Sequence, residues 1–280
     1  MRRLVNSSIG LVLLMLALGP AIAGAQPKIT NGRVQTHAAG AGLDQTVRAI
    51  VGQQSEPAWI GYTVPTRGER RVCCTGCTFD DRAIALETGR PVRLEGPQTL
   101  VILYRVEDRA IQRIRIFSEE CELDAGGRTI HWVEGVKPAD SVKLLASFLS
   151  RGDRPSSSTN GAIVAIAMHE DSVAVPVLLD AARGHADPKV RGDALFWLAQ
   201  KAGDKAAGAI TERLEQDPDT DVKRRAVFAL SQLPRDEGVP LLIQVAKTNK
   251  NAAVRKQAMF WLGQSHDRRA LDFFAEVLAK

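Results

Sequence analysis

Three stretches decide the fold: DPKVRGDALFWLAQ (187–200), DTDVKRRAVFALSQ (219–232) and NAAVRKQAMFWLGQ (251–264). They superpose without a gap, and Val190, Val222 and Val254 stand 32 residues apart. The same offset carried backwards reaches Ala162-Ile163 and Ile166-Ala167, which match Ala194-Leu195 and Leu198-Ala199, with Ser158 in place of the valine. That makes four units, the first atypical in the way capping repeats are. Within a unit, Val190, Ala194, Trp197 and Leu198 fall on one face of an α-helix. Asp187, Asp219 and Asn251 stand just before these helices, where a short polar side chain accepts from unpaired first-turn N–H groups. A second apolar helix follows in each unit, over 175–182, 206–214, 240–246 and 270–278, with Pro176 and Pro240 expected in a first turn. One such hairpin cannot bury both apolar faces. Stacked neighbours can, and the expected architecture over 161–280 is an α-solenoid of four hairpins.

The D-x-x-V-R start, the A-x-x-x-L helix and the apolar second helix resemble HEAT repeats, in particular the short bacterial type also found in phycobilisome lyases. The resemblance implies a structural role for the basic position Arg191, Lys223 and Arg255, packed against acidic groups of the neighbouring unit. Deoxyhypusine hydroxylase is similar in its repeat but holds iron with His-Glu pairs at the start of certain first helices. The matching positions here are Gly192-Asp193, Arg224-Arg225 and Lys256-Gln257, none of which builds that site. His169-Glu170 is the one His-Glu pair, and it reads as a loop feature past the end of its helix. The tetratricopeptide and ankyrin signatures are absent.

Successive second helices line one side of such a stack. Asp180, Glu212, Gln244 and Glu276, spaced by 32, are expected to form a polar row. It reads as part of a groove for a protein or peptide with basic or polar groups, against the plainer reading of a solvated face. Phe273, Phe274 and Leu278 in the last unit are candidates for a partner contact.

The first half has a different grammar. Residues 1–25 carry Arg2-Arg3, an apolar core at 9–18, Gly19-Pro20 and then Ala23-Gly24-Ala25, the layout of a cleavable secretory signal. The apolar core has about half the ~20 residues of a membrane-spanning helix, so no integral span is expected after cleavage. Residues 26–42 are polar and read as flexible. Residues 43–150 read as a small α+β domain, an antiparallel sheet with one or two helices. Its elements are a helix at 43–51, strands at 59–64, 99–106 and 111–117, a second hairpin from 121–124 and 129–133 about Gly126-Gly127, and a helix at 138–149. Pro155-Ser156-Ser157-Ser158 marks a linker over 151–160.

All four cysteines, Cys73, Cys74, Cys77 and Cys121, lie in this front domain. The leading reading is structural disulfides in an oxidising compartment, with the connectivity open. A redox use of Cys74-Thr75-Gly76-Cys77 is the enzymatic alternative; it lacks the helix N-terminus that lowers a thiol pKa. A four-thiolate zinc site would want a second C-x-x-C. His131 falls between Ile130 and Trp132, on the opposite strand face from both, without a paired nucleophile. No phosphate loop, nucleophile elbow or dinucleotide fingerprint is present.

Composition agrees with this picture. A chain of 280 residues with 45% hydrophobic and 25% charged residues is globular. Two of its 37 basic residues and none of its 32 acidic ones precede residue 26, so the remainder carries +3, too small a field for nucleic acid. The densest basic run, Lys223-Arg224-Arg225, has Asp217, Asp219 and Asp221 beside it. The expectation is an exported, non-enzymatic binding protein without cofactor or metal, holding a protein or peptide partner. A thiol–disulfide oxidoreductase using Cys74 and Cys77 is the alternative.

Overall fold

The computed structural model describes residues 26–40, 42–66, 99–149, 157–202 and 204–279. The signal segment, Cys73, Cys74, Cys77 and residues 151–156 lie outside the described residues. A sheet-containing region comes first, and a run of helices follows it.

The front region holds β1 (Ile29–Thr30), β2 (Arg33–Ala38), α1 (Leu43–Gln53), β3 (Ala58–Pro65), β4 (Thr99–Glu107), β5 (Ala110–Ser118), β6 (Leu123–Asp124), β7 (Thr129–Glu134) and α2 (Pro138–Ala146). The main sheet has the order β2-β7-β3-β4-β5. The antiparallel pairings β3–β4 and β4–β5 follow from alternating apolar residues and a two-residue turn, Asp108-Arg109, whose positive φ values of 52° and 54° match the twist of the strands. Ile60, Tyr62, Ile102, Tyr104, Ile114 and Ile116 point to the helix-covered face and are buried. Gly61 is required by close approach, because a methyl group there would run into Leu103 and the Trp132 ring.

Three expectations change here. The sheet is mixed, since β7 pairs in parallel with both β2 and β3. Residues 121–124 and 129–133 do not pair with each other; β6 pairs with β1 and β7 enters the main sheet. The Gly126-Gly127 turn is present, with φ of 59° and 76°, but its Gly127 N–H donates to Asn31 O (2.7 Å), so the N-terminal segment takes the place of a hairpin arm. Residues 26–42, expected to be flexible, carry β1 and β2. The side chains of β2 are mostly exposed, so no apolar period announces it. Its order comes from the backbone ladder to β7, from Arg33↔Thr129 to Ala38↔Glu134.

The helices α3 (Ser157–Met168), α4 (Asp171–Gly184), α5 (Pro188–Ala202), α6 (Asp204–Gln216), α7 (Thr220–Ser231), α8 (Arg235–Thr248), α9 (Ala252–Gln264) and α10 (Arg268–Leu278) form four consecutive hairpins. Val190, Val222 and Val254 are all buried. Asp219 accepts from the N–H groups of Asp221 and Val222, and Asn251 from those of Ala253 and Val254, while Asp187 accepts from Lys189 N at 2.7 Å. The second helices begin four or five residues earlier than expected at α4 and α8, so Pro176 and Pro240 fall in the second turn. Both are exposed, and each leaves the carbonyl four residues earlier without its helical N–H donor.

The expected linker is shorter than its composition suggests. Ser157 to Asn160 form the first turn of α3, and Thr159 Oγ1 donates to Phe148 O at 3.1 Å. One buried apolar cluster then runs without interruption from Leu43 in α1 through the sheet and every hairpin to Phe273 in α10. Sheet and solenoid meet at Gly161, which lies so close to the β5 backbone that a methyl group would overlap Ile114 O.

Candidate binding face

The hairpin period places Asp180, Glu212, Gln244 and Glu276 at one equivalent position on α4, α6, α8 and α10. Two clefts open along these helices. The larger, about 1020 Å³, is lined by Leu149, Val177, Asp180, Ala181, His185 and Asp187 among others. The second, about 430 Å³, is lined by residues including Leu214, Leu241, Gln244, Val245 and Lys250. Asp180 and Gln244 therefore border concave surface, whereas Glu212 and Glu276 are in neither cleft.

Two charges of the row, those of Glu212 and Glu276, are answered. Glu212 accepts from Arg213 Nη2 at 2.9 Å and lies 3.4 Å from Arg183 Nε, and Glu276 is 3.0 Å from Lys247 Nζ. The face is thus a mixed polar strip and not an acidic one. Sequence reasoning missed these cations, although Arg183 and Lys247 each stand one helical turn after a row residue, 64 positions apart.

The loops between units hold a second repeated device that was not anticipated. His185, Asp217 and Asn249 sit two residues before the helix caps. Their side chains accept from the backbone N–H of Asp187 (3.0 Å), Asp219 (3.0 Å) and Asn251 (2.9 Å). His185 Nε2 also donates to Leu149 O at 2.7 Å, which fixes its tautomer. Arg191 grips Asp217 with two bonds of 2.8 and 2.9 Å and donates to His185 O and Ala186 O. Burial works against the Asp217 carboxylate, but the Arg191 guanidinium and the Asp219 N–H outweigh it and hold its pKa below the usual range. Arg255 donates to Asn249 O and Lys250 O, and Lys223 to Glu215 O. Of the three basic positions, only Arg191 meets a carboxylate in the adjoining loop.

His169 is the largest departure from the sequence reading. It is fully buried where front region and solenoid meet. Its Nδ1 lies 2.7 Å from Ala165 O, and a carbonyl only accepts, so Nδ1 carries the proton. Ser141 Oγ then donates to Nε2 (2.9 Å), Tyr62 donates to Ser141 (2.8 Å), and Tyr104 donates to Tyr62 (2.7 Å). Burial lowers the His169 pKa, Ala165 O opposes this and Lys201 adds to it, for a result of about 4. This one-way chain satisfies four buried polar groups and has no path to solvent through its own members. A lone histidine next to a glutamate gives no hint of partners in three other elements.

His131 does face away from Ile130 and Trp132, and its Nδ1 is 3.0 Å from His37 Nε2. Cys121 is buried in the second apolar cluster, with Leu123, Ala125, Ile130 and Trp132. Among the described residues there is no group of three His, Cys, Asp or Glu placed to hold a metal, and no helix long and apolar enough to cross a membrane. Near the starts of α5 and α7, Asp193 pairs with Lys189 and Arg225, and Arg224 with Asp221.

Residues 207–280 match the family model for HEAT repeats. No curated protein matches the chain. Among solved structures, human deoxyhypusine hydroxylase in complex with glycerol is similar at 18% identity and a TM-score of 0.37, over 44% of this chain and 43% of its own. The complex of CpcE and CpcF of phycocyanin lyase from Nostoc sp. PCC7120 is similar at 18% identity and 0.40, over 50% and 89%. The Escherichia coli protein YibA is similar at 24% identity and 0.35, over 50% and 53%. The chain thus spans less than half the length of the hydroxylase.

Proposed function

From a chain whose helices form HEAT-like repeats, we propose a binding scaffold that holds a protein or peptide along α4, α6, α8 and α10. The observation that carries this reading is the pair of clefts bordered by Asp180 and Gln244 at equivalent repeat positions. Apolar floors (Val177 and Ala181; Leu241 and Val245) with a mixed polar rim suit a segment of polypeptide that buries a few side chains and hydrogen-bonds along its length. The answered charges of Glu212 and Glu276 favour a partner of mixed polarity over a strongly basic one. The scaffold is exported under the signal at 1–25 and works without catalysis, metal or cofactor. The front region is braced by disulfides. Cys121 supports the brace, because it lies buried under the sheet, as a structural bridge requires and an exchanging thiol does not.

Photo-crosslinking residues placed at Asp180 and at Gln244 are expected to capture a protease-sensitive partner, while the same residue at Gln200 on α5 captures none. Equal capture at all three positions, or capture at Gln200 alone, would show that the wrong surface has been chosen. Replacing Asp180 and Gln244 together with Lys is expected to weaken that capture by about tenfold and to leave thermal unfolding unchanged, since both side chains are exposed.

A further inference from the structure

We propose that the α9–α10 face turned away from α7–α8 is the contact surface for a second copy of this chain, joined about a two-fold axis. Equivalent positions in successive hairpins have opposite fates. Val239, Val245 and Ala246 of α8 are 3, 7 and 4% exposed, whereas Leu271, Val277 and Leu278 of α10, each 32 residues later, are 66, 42 and 85% exposed. Val239 shares a small cavity with Trp261 of α9, so this position faces the following hairpin. First helices agree. The Phe196 ring stacks on Phe228 and the Phe228 ring packs on Trp261, each covered by the next unit, while Phe260 is 54% exposed. The α9–α10 hairpin therefore exposes on this face the apolar lining that α5, α7 and α8 turn to the next unit.

The rest of the molecule selects the occupant. The other end of the stack is closed, because α3 lies against the β5 backbone at Gly161. A second copy therefore presents no open leading hairpin among the described residues, and the exposed large apolar side chains of the described helices, Phe260, Leu271, Val277 and Leu278, all lie on this same surface, so like meets like. Exposed Arg268 and Asp272 flank Leu271 one turn apart on α10. Across a two-fold axis, Arg268 of each copy meets Asp272 of the other, so the rim is complementary to itself.

Sedimentation of the purified chain over a wide concentration range tests this. A reversible dimer, twice 30.4 kDa, is expected for the unmodified protein. Leu271→Glu with Leu278→Glu is expected to give a monomer that unfolds, at every concentration, where the unmodified protein unfolds once diluted to monomer, because both side chains are exposed in the single chain. Arg268→Asp is expected to weaken association by about tenfold or more, and Asp272→Arg added to it to restore the dimer. A monomer at every concentration, a dimer that survives the two leucine changes, open-ended oligomers, or no rescue by the charge exchange would each overturn the proposal.

Discussion

Arg191 and Asp217 make a buried ion pair whose partners are unequally replaceable. Their side chains are 9 and 0% exposed, and Asp217 also caps the Asp219 N–H. Removing the carboxylate strands a buried guanidinium, so Asp217→Ala is expected to cost about 3–5 kcal/mol in urea unfolding. Asp217→Asn keeps the cap, as Asn249 does in the next loop, and is expected to cost clearly less. Equal losses would mean that the charge contributes little. His169 sets a pH dependence whose sign is fixed by its pKa of about 4 against an ordinary 6.5. Above pH 6.5 the ring is neutral folded or unfolded, and its contribution is complete. Between 6.5 and 4 the unfolded chain takes up the proton and the folded one does not, so stability falls, by an amount on the order of 3 kcal/mol at the acid end. His169→Gln is expected to flatten the stability profile in this window; an unaltered slope would place the acid sensitivity elsewhere. Arg191 was legible in kind, since the repeat resemblance implied an acidic partner in the neighbouring unit, whereas His169 was not. Arg191 stood out by register, but its partner is 26 positions away. His169 depends on Ser141, Tyr62 and Tyr104, which no local spacing connects to it.

Hairpin elements were legible because their cause is local. A face that recurs every 32 residues, a capping Asp or Asn and a buried Val at the same offset specify a helix start without knowledge of the rest of the fold. The strands with a dense apolar run, β3 and β4, or with apolar alternation, β5, were legible for the same reason. β1, β2 and the partners of β6 and β7 were not, since an edge strand held by backbone bonds leaves its side chains in water and its sequence without a period. The candidate row lay in between: the repeat offset placed Asp180, Glu212, Gln244 and Glu276 together, but which of them border a cleft depends on how α2 and the inter-unit loops pack. The contact of α3 with β5 tests the element scale. Gly161→Ala pushes a methyl group into the Ile114 carbonyl and is expected to cost about 1–3 kcal/mol. Amide protection in β5 and in α3 should fall together in hydrogen exchange. Loss confined to α3 would show that the sheet does not depend on the junction.

At the scale of the molecule, the chain does not divide at its Ser-rich stretch as its composition invites. The apolar interior of the sheet continues into the first hairpin, and the polar chain from Tyr104 to His169 crosses the same seam. The front region therefore acts as the cap that a repeat stack needs at one end. A stack closed by a sheet at one end, with the α9–α10 face exposed in the single chain at the other, is polar in the mechanical sense. Where no second copy covers that face, disturbance by heat, pulling or a protease is expected to work inward from α10, one hairpin at a time, and to reach the strands last. The cleft-bearing face of α4, α6, α8 and α10 would then shorten or lengthen by whole hairpins while its anchored origin stays where it is.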